Sequence, residues 1–167
     1  MAQLAAGSET AVEELMSRYR ERVIRLAVRA LGDRGRAEDV VQETFLRVVK
    51  HAPSYDGRGQ FLGWLLTIAS RLSLNASRDR WRRLEVPLES ASGRPTSTSP
   101  EHSLASRELW EALRRLRPRY RMALVLKAVE GLSYGEIARI LECSESDVAN
   151  AVFRARRALA RALGRSG

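Results

Sequence analysis

The chain has 167 residues, 44% of them hydrophobic and only 6% aromatic, which is enough apolar material to bury a core and excludes a wholly disordered chain. Lys and Arg number 29 against 20 Asp and Glu, a formal net charge of +9 that favours polyanionic partners: nucleic acid, an anionic membrane surface or an acidic protein. By residue count, 11–83 carry about +6, 108–167 about +5, and the stretch between them is slightly acidic, so two basic lobes offer two separate footprints on a polyanion.

In chain order, Thr10 followed by Glu13 is a capping-box pattern. After it Val12, Leu15, Met16, Tyr19, Val23, Leu26, Ala27 and Ala30 recur at helical spacing until Gly32 stops the run. Asp33 caps a second helix with Ala37, Val40, Val41, Phe45 and Val48 on its apolar face, fading at 51–53. Residues 54–60 read as a loop by their Gly and polar content. A third helix carries Phe61, Trp64, Leu65, Ile68, Ala69 and Leu72 and runs into a charged segment at 78–83. Residues 90–100 are almost wholly Ser, Thr, Pro and Gly, so 84–104 is expected to be a flexible linker. Beyond it Leu109, Trp110, Leu113 and Leu116 share one helical face, and Pro118 suits the first turn of the next helix, which ends near Gly131.

Ser133 with Glu136 is a second capping box, opening a short helix with Ile137, Ile140 and Leu141 apolar. A four-residue break at 142–145 leads into a longer helix with Val148, Val152, Ala155 and Leu159 inward, the pattern of a helix-turn-helix. No glycine stands in that turn, a departure from the usual pattern. The expected fold is all-α: a helical domain over 8–83, a linker over 84–104, and a second helical domain over 105–167 containing the helix-turn-helix.

The second helix of such a motif enters a major groove, with N-terminal residues toward base edges and cations on phosphates. Ser144, Glu145, Ser146, Asp147, Asn150, Phe153 and Arg154 are the candidates, with Arg156 and Arg157 suited to backbone contacts. A helical hairpin with a solvated basic tail is the plainer alternative. On the second helix, Glu38, Asp39, Gln42, Glu43 and Arg47 lie opposite the apolar stripe, which reads either as a solvated face or as a surface for a basic protein. Around the third helix, Arg58, Phe61, Trp64, Arg71, Arg78, Arg80, Trp81 and Arg82 interleave rings with cations, as single-stranded nucleic acid requires. Phe61 and Trp64 read first as core and second as contact, and Trp81 as the exposed ring.

No catalytic set assembles. His51 and His102 are isolated, and residues 32–36 lack the Lys-Ser/Thr ending of a phosphate-binding loop. One cysteine, Cys143, permits neither an intramolecular disulfide nor a cysteine-based zinc site; it reads as an apolar filler in a reducing compartment. Residues 1–10 lack the regions of a signal peptide, and the apolar runs are too short to span a bilayer. The expectation is a cytoplasmic protein that is not an enzyme, with no cofactor, no metal and no small-molecule substrate.

Residues 31–47 (LGDRGRAEDVVQETFLR) resemble the GDxxxAEDxxQExFLR signature of region 2 of extracytoplasmic-function (ECF) sigma factors. Residues 116–121 (LRPRYR), 130–138 (EGLSYGEIA) and 153–157 (FRARR) resemble region 4 of the same family, in the family's order and with a linker between. The resemblance implies a transcription initiation factor whose region 2 binds core RNA polymerase through Asp39, Gln42, Glu43, Phe45 and Arg47. It implies capture of an unstacked base of the −10 element by Arg58, Phe61, Trp64, Arg71, Asn75 and Arg78. Region 4 would read the −35 element of promoter DNA through Ser144, Ser146, Asp147, Asn150, Arg154 and Arg157. Many such factors are also sequestered by an anti-sigma protein, so one is an implied partner. The third helix has Arg71, Asn75 and Arg78 where the family has Asn, Asp and Arg. The recognition helix reads SDVANA over 146–151 where the family has GTVKSR. Ala149 and Ala151 remove two potential phosphate contacts and Asp147 adds a carboxylate, so weak or unusual −35 binding is expected of the isolated second domain. Two rival readings stay open: a helix-turn-helix regulator acting without polymerase, and a helical adaptor for an acidic protein.

Overall fold

The computed structural model describes residues 8–55, 61–85 and 104–164. Among them lie seven α-helices, a 3-10 turn at Ala52–Ser54 and no strand: α1 (Glu9–Leu31), α2 (Arg34–His51), α3 (Phe61–Glu85), α4 (Leu104–Arg115), α5 (Pro118–Ala128), α6 (Tyr134–Leu141) and α7 (Glu145–Ala162). No described helix is long and apolar enough to cross a membrane.

The first helix begins earlier than the Thr10–Glu13 pattern led us to expect. Ser8 is its N-cap, with the hydroxyl accepting from the Ala11 N–H, so Thr10 lies inside the helix. Ser8 offers the same kind of oxygen two residues sooner, and Glu9 then falls in the first turn, where a carboxylate meets the positive helix end. Gly32 ends α1 in the left-handed region at φ 66°, and a Cβ there would sit 2.8 Å from Arg114 Nε. The backbone demands glycine at that corner, and a Cβ would in addition make the Arg114 side chain shift. Asp33 then caps α2 by accepting from the Arg36 N–H. Helix α3 runs through Glu85 and α4 starts at Leu104, so both ends of the expected linker are helical; residues 86–103, the rest of it, lie outside the described residues.

Helices α1, α2 and α3 pack on one another, as do α5, α6 and α7, giving two helical groups. Helix α5 is buried at every position from Arg121 to Leu126, the pattern of a helix covered on all sides. It is covered by α6 and α7 on its own side and by α1 and α3 across the molecule, so the buried apolar residues of both groups form one cluster. Polar contacts follow the same seam. Arg22 Nε lies 2.7 Å from Glu130 Oε2, whose side chain is only 4% exposed. The buried Arg121 donates to Ser77 Oγ at 2.9 Å, and Arg114 donates to the Gly32 carbonyl. Arg71 and Glu142 pair at 2.7 Å on the outside.

Candidate protein and nucleic-acid interfaces

Three outward faces carry the candidate residues. On α2, Asp39, Gln42 and Arg47 are exposed, and Glu43 is held by Arg47 at 2.6 Å, one turn apart. Glu38 is bonded by Arg20 across from α1. Phe45 does not belong to this face. It is 3% exposed and sits in the core with Val41 and Val48, because it shares their side of the helix. The exposed apolar residue is its neighbour Leu46, 65% exposed. Leu46 stands three, four and seven residues after Glu43, Gln42 and Asp39, and that spacing is the signal that identifies it.

On α3, Phe61, Trp64, Arg71, Asn75 and Arg78 fall along one stripe by helical spacing. Arg71, Asn75 and Arg78 are exposed. Phe61 and Trp64 are half-buried in an aromatic cluster: Tyr19 lies 5.2 Å from Phe61, and Tyr55 lies 4.8 Å from Trp64, centroid to centroid. The rings are packed, as the core reading expects, without being fully buried. Tyr19 and Tyr55 complete the cluster from other segments, a juxtaposition that only the tertiary fold supplies. Arg58 and residues 56–60 lie outside the described residues, as do the side chains of Arg80, Trp81 and Arg82.

The helix-turn-helix is built on two reciprocal caps. Ser133 accepts from the Glu136 N–H while Glu136 accepts from the Ser133 N–H at 2.8 Å, and Ser144 and Asp147 repeat the arrangement at the start of α7. Hydrogen bonds from the serine hydroxyls, then from the serine backbone N–H groups, hold both carboxyls below the usual carboxylate range. Asp147 is thus a cap, and it is exposed at the start of α7. The turn manages without glycine because Glu142 itself adopts the left-handed conformation, φ 52°. Cys143 is half-buried and packs against the core, as a small filler would.

Ser144, Ser146, Asp147, Asn150, Arg154 and Arg157 are all exposed at the start and along the outer side of α7, and Phe153 is 62% exposed among them. Ala151 lies at the edge between this face and the core, 5% exposed, so a longer residue there would not simply reach outward to phosphate. Two residues absent from the sequence-derived set join this surface: Arg119 and Tyr120, from the first turn of α5, line a cleft with Asp147, Asn150, Ala151 and Arg154. Among the described residues no group of three or more His, Cys, Asp or Glu could hold a metal ion.

These features define an all-helical protein organised around a helix-turn-helix, and comparison with known proteins narrows the class. Residues 15–83 match the family model described as Sigma-70 region 2, and residues 106–159 match that described as Sigma-70, region 4. The chain is 34% identical over 164 residues to the ECF RNA polymerase sigma factor BldN of Streptomyces coelicolor, covering 95% of this chain and 62% of that protein. It is 34% identical over 136 residues to the RNA polymerase sigma factor CarQ of Myxococcus xanthus, covering 80% of this chain and 78% of CarQ. The solved structure of CnrH in complex with the cytosolic domain of CnrY is similar at a TM-score of 0.68 and 26% identity, covering 99% of this chain and 96% of that one. The chain belongs to the ECF sigma factors. It spans less than two thirds of the length of BldN.

Proposed function

We propose that this chain binds core RNA polymerase and directs promoter-specific initiation, acting by binding and not as an enzyme, in the cytoplasm. Residues 8–83 form the unit that grips polymerase and the −10 element, residues 105–167 the unit that reads the −35 element, and 84–104 the tether. The observation that carries this reading is the pair of region matches in the family's order, with outward faces of suitable chemistry on each. On α2, exposed Leu46 stands among Asp39, Gln42 and Glu43 and the cations Arg47 and Lys50, an apolar centre with a rim of both charges, suited to a protein surface. On α3, Arg71, Asn75 and Arg78 continue the line of the Phe61 and Trp64 rings, so a flipped or unstacked base can lie on an aromatic while its phosphates meet guanidinium groups.

On α7, Asn150, Arg154 and Arg157 offer an amide for base edges and cations for phosphates, while Asp147 tempers affinity at the helix start. A tether between two modest DNA contacts raises the effective concentration of the second once the first is made. The Arg71–Glu142 pair ties the −10 stripe to the turn before α7, so promoter engagement requires this contact to open. CnrH was solved in complex with the cytosolic domain of CnrY, and that likeness supports a further protein partner, which the ECF family membership makes an anti-sigma protein in this reading.

Run-off transcription with purified core polymerase on a library of promoter fragments tests the whole reading. Transcripts that need the chain, and vanish without core, are the expected result. Tight DNA binding that proceeds unchanged without polymerase would favour the helix-turn-helix regulator instead.

A further inference from the structure

A cleft of about 400 Å³ opens between the first turn of α5 and the outer side of α7, lined by Arg119, Tyr120, Asp147, Asn150, Ala151 and Arg154. Two guanidinium groups, a phenol and an amide supply donors to it from two separate helices. Arg119 donates one N–H to the Leu141 carbonyl at 3.1 Å, which fixes the guanidinium at the end of α6 while most of its five donors remain for the cleft. Arg154 approaches from α7, its Nη1 3.5 Å from the Tyr120 hydroxyl. Ala151, 5% exposed, contributes only a methyl group to the lining, so the space between the two arginines stays open.

The one carboxylate in the wall is already committed. Asp147 Oδ2 accepts from the Ser144 N–H at 3.2 Å and from the Ser144 hydroxyl at 2.6 Å, which holds it at the start of α7. Two guanidinium charges against this one carboxylate leave the cleft singly positive, a match for a monoanionic diester and not for a dianionic monoester.

We propose that this cleft seats one phosphodiester of duplex DNA beside the bases that α7 reads, with Arg119 of α5 as the clamp. The inference rests on the −35 reading given above and adds to it a second helix that fixes the register of α7 on the duplex. A phosphate held from both α5 and α7 locks the angle of the recognition helix, which a contact from α7 alone cannot do.

The test uses holoenzyme reconstituted from the full chain and core polymerase, on a promoter recovered by selection from randomised DNA. Single methylphosphonates, which remove one phosphate charge at a time, are walked through the upstream element. Wild-type affinity is expected to fall about ten-fold at one or two adjacent phosphates. Arg119→Gln should weaken binding to unmodified DNA by a similar factor, lose nothing further at those same phosphates, and lower the slope of log affinity against log salt by about one. Arg119→Lys keeps the charge without the fork and should recover part of the loss. Arg154→Gln, altered at an exposed position, should lose sensitivity at the same phosphates, which separates the clamp from any folding defect in Arg119→Gln. An Arg119→Gln holoenzyme with wild-type affinity, or with undiminished sensitivity at every phosphate, overturns the clamp and leaves the sigma-factor reading standing. Recovery of no promoter at all would overturn both.

Discussion

Helices α2 and α7 are each 18 residues long, each begins at a capping side chain, Asp33 in one and Ser144 in the other, and each sets an adjacent apolar pair across the edge of the core. In α2 the pair is Phe45, 3% exposed, and Leu46, 65% exposed; in α7 it is Val152, 1% exposed, and Phe153, 62% exposed. The inward halves are interchangeable in kind. The outward halves are not: Leu46 stands among charges of both signs, Asp39 and Glu43 with Arg47 and Lys50, whereas Phe153 is flanked by Asn150, Arg154, Arg156 and Arg157. The inner stripe decides where a helix sits, and the outer one is free to decide what it meets, which on the proposed reading is protein for α2 and phosphate for α7.

The sharpest separation lies within each adjacent pair. Phe45→Ala should destabilise the fold by about 3–5 kcal/mol, the range for emptying a buried aromatic site, as read by chemical denaturation. Leu46→Ala should stay within about 0.5 kcal/mol of wild type in the same measurement. It should nevertheless lower the affinity for core polymerase about ten-fold in a titration. Equal stability losses for both variants would break the division between inner and outer stripe. The double reversal Asp39→Arg with Glu43→Arg comes next: assembly with polymerase should weaken at least ~10-fold, since like charges would then face a basic partner. DNA binding through α7 should not change. A matching loss in both assays would mean that the two faces are not independent.

How much of this was legible in the sequence differs between the same two helices. Helical spacing located α2 and its buried residues, and the Asp33 cap, because those signals are local. Phe45 nonetheless counted both as an apolar-face residue and as a polymerase contact, and only burial decides between the two. The exposed residues of α7 were legible from spacing, but the cleft beside them was not. Arg119 and Tyr120 precede α7 by more than twenty residues, and nothing in periodicity brings them to Asn150 and Arg154. The docking of the two helical groups was hidden for the same reason. The all-round burial of α5 follows from α1 and α3 lying across it, a long-range arrangement that its own pattern does not announce.

The caps give smaller effects with a definite sign in pH. Ser144→Ala should cost about 1 kcal/mol of stability, typical of a lost N-cap. Glu136 and Asp147 have folded-state pKa values below their ordinary values of 4.5 and 3.8. Their contribution is therefore complete above those ordinary values and disappears as pH falls through the lowered folded ones. Thermal unfolding followed from pH 6 downward should show the helix-turn-helix weakening only in the acid range, below about pH 4.5, and Ser144→Ala should flatten part of that slope. An unchanged slope would remove Asp147 from the account of how α7 begins.

The smallest expected effect concerns the turn that leads into α7. Glu142 holds the left-handed conformation that costs a residue with a Cβ about 1 kcal/mol, so Glu142→Gly relieves strain. The same change frees the unfolded chain, which offsets part of that gain, and removes the Arg71 pair, whose side chains are 51% and 72% exposed. An exposed pair of this kind contributes about 0–1 kcal/mol, so the net change should lie within roughly 0.5 kcal/mol of zero. Salt then separates the terms, because it screens the ion pair and leaves backbone strain untouched. Glu142→Gly should look less favourable than wild type at low salt and move toward stabilising as salt rises, in paired thermal melts. A difference that does not move with salt would mean that the Arg71–Glu142 contact contributes nothing. The outer stripe of α3 and the turn before α7 would then gain nothing measurable from their polar tie.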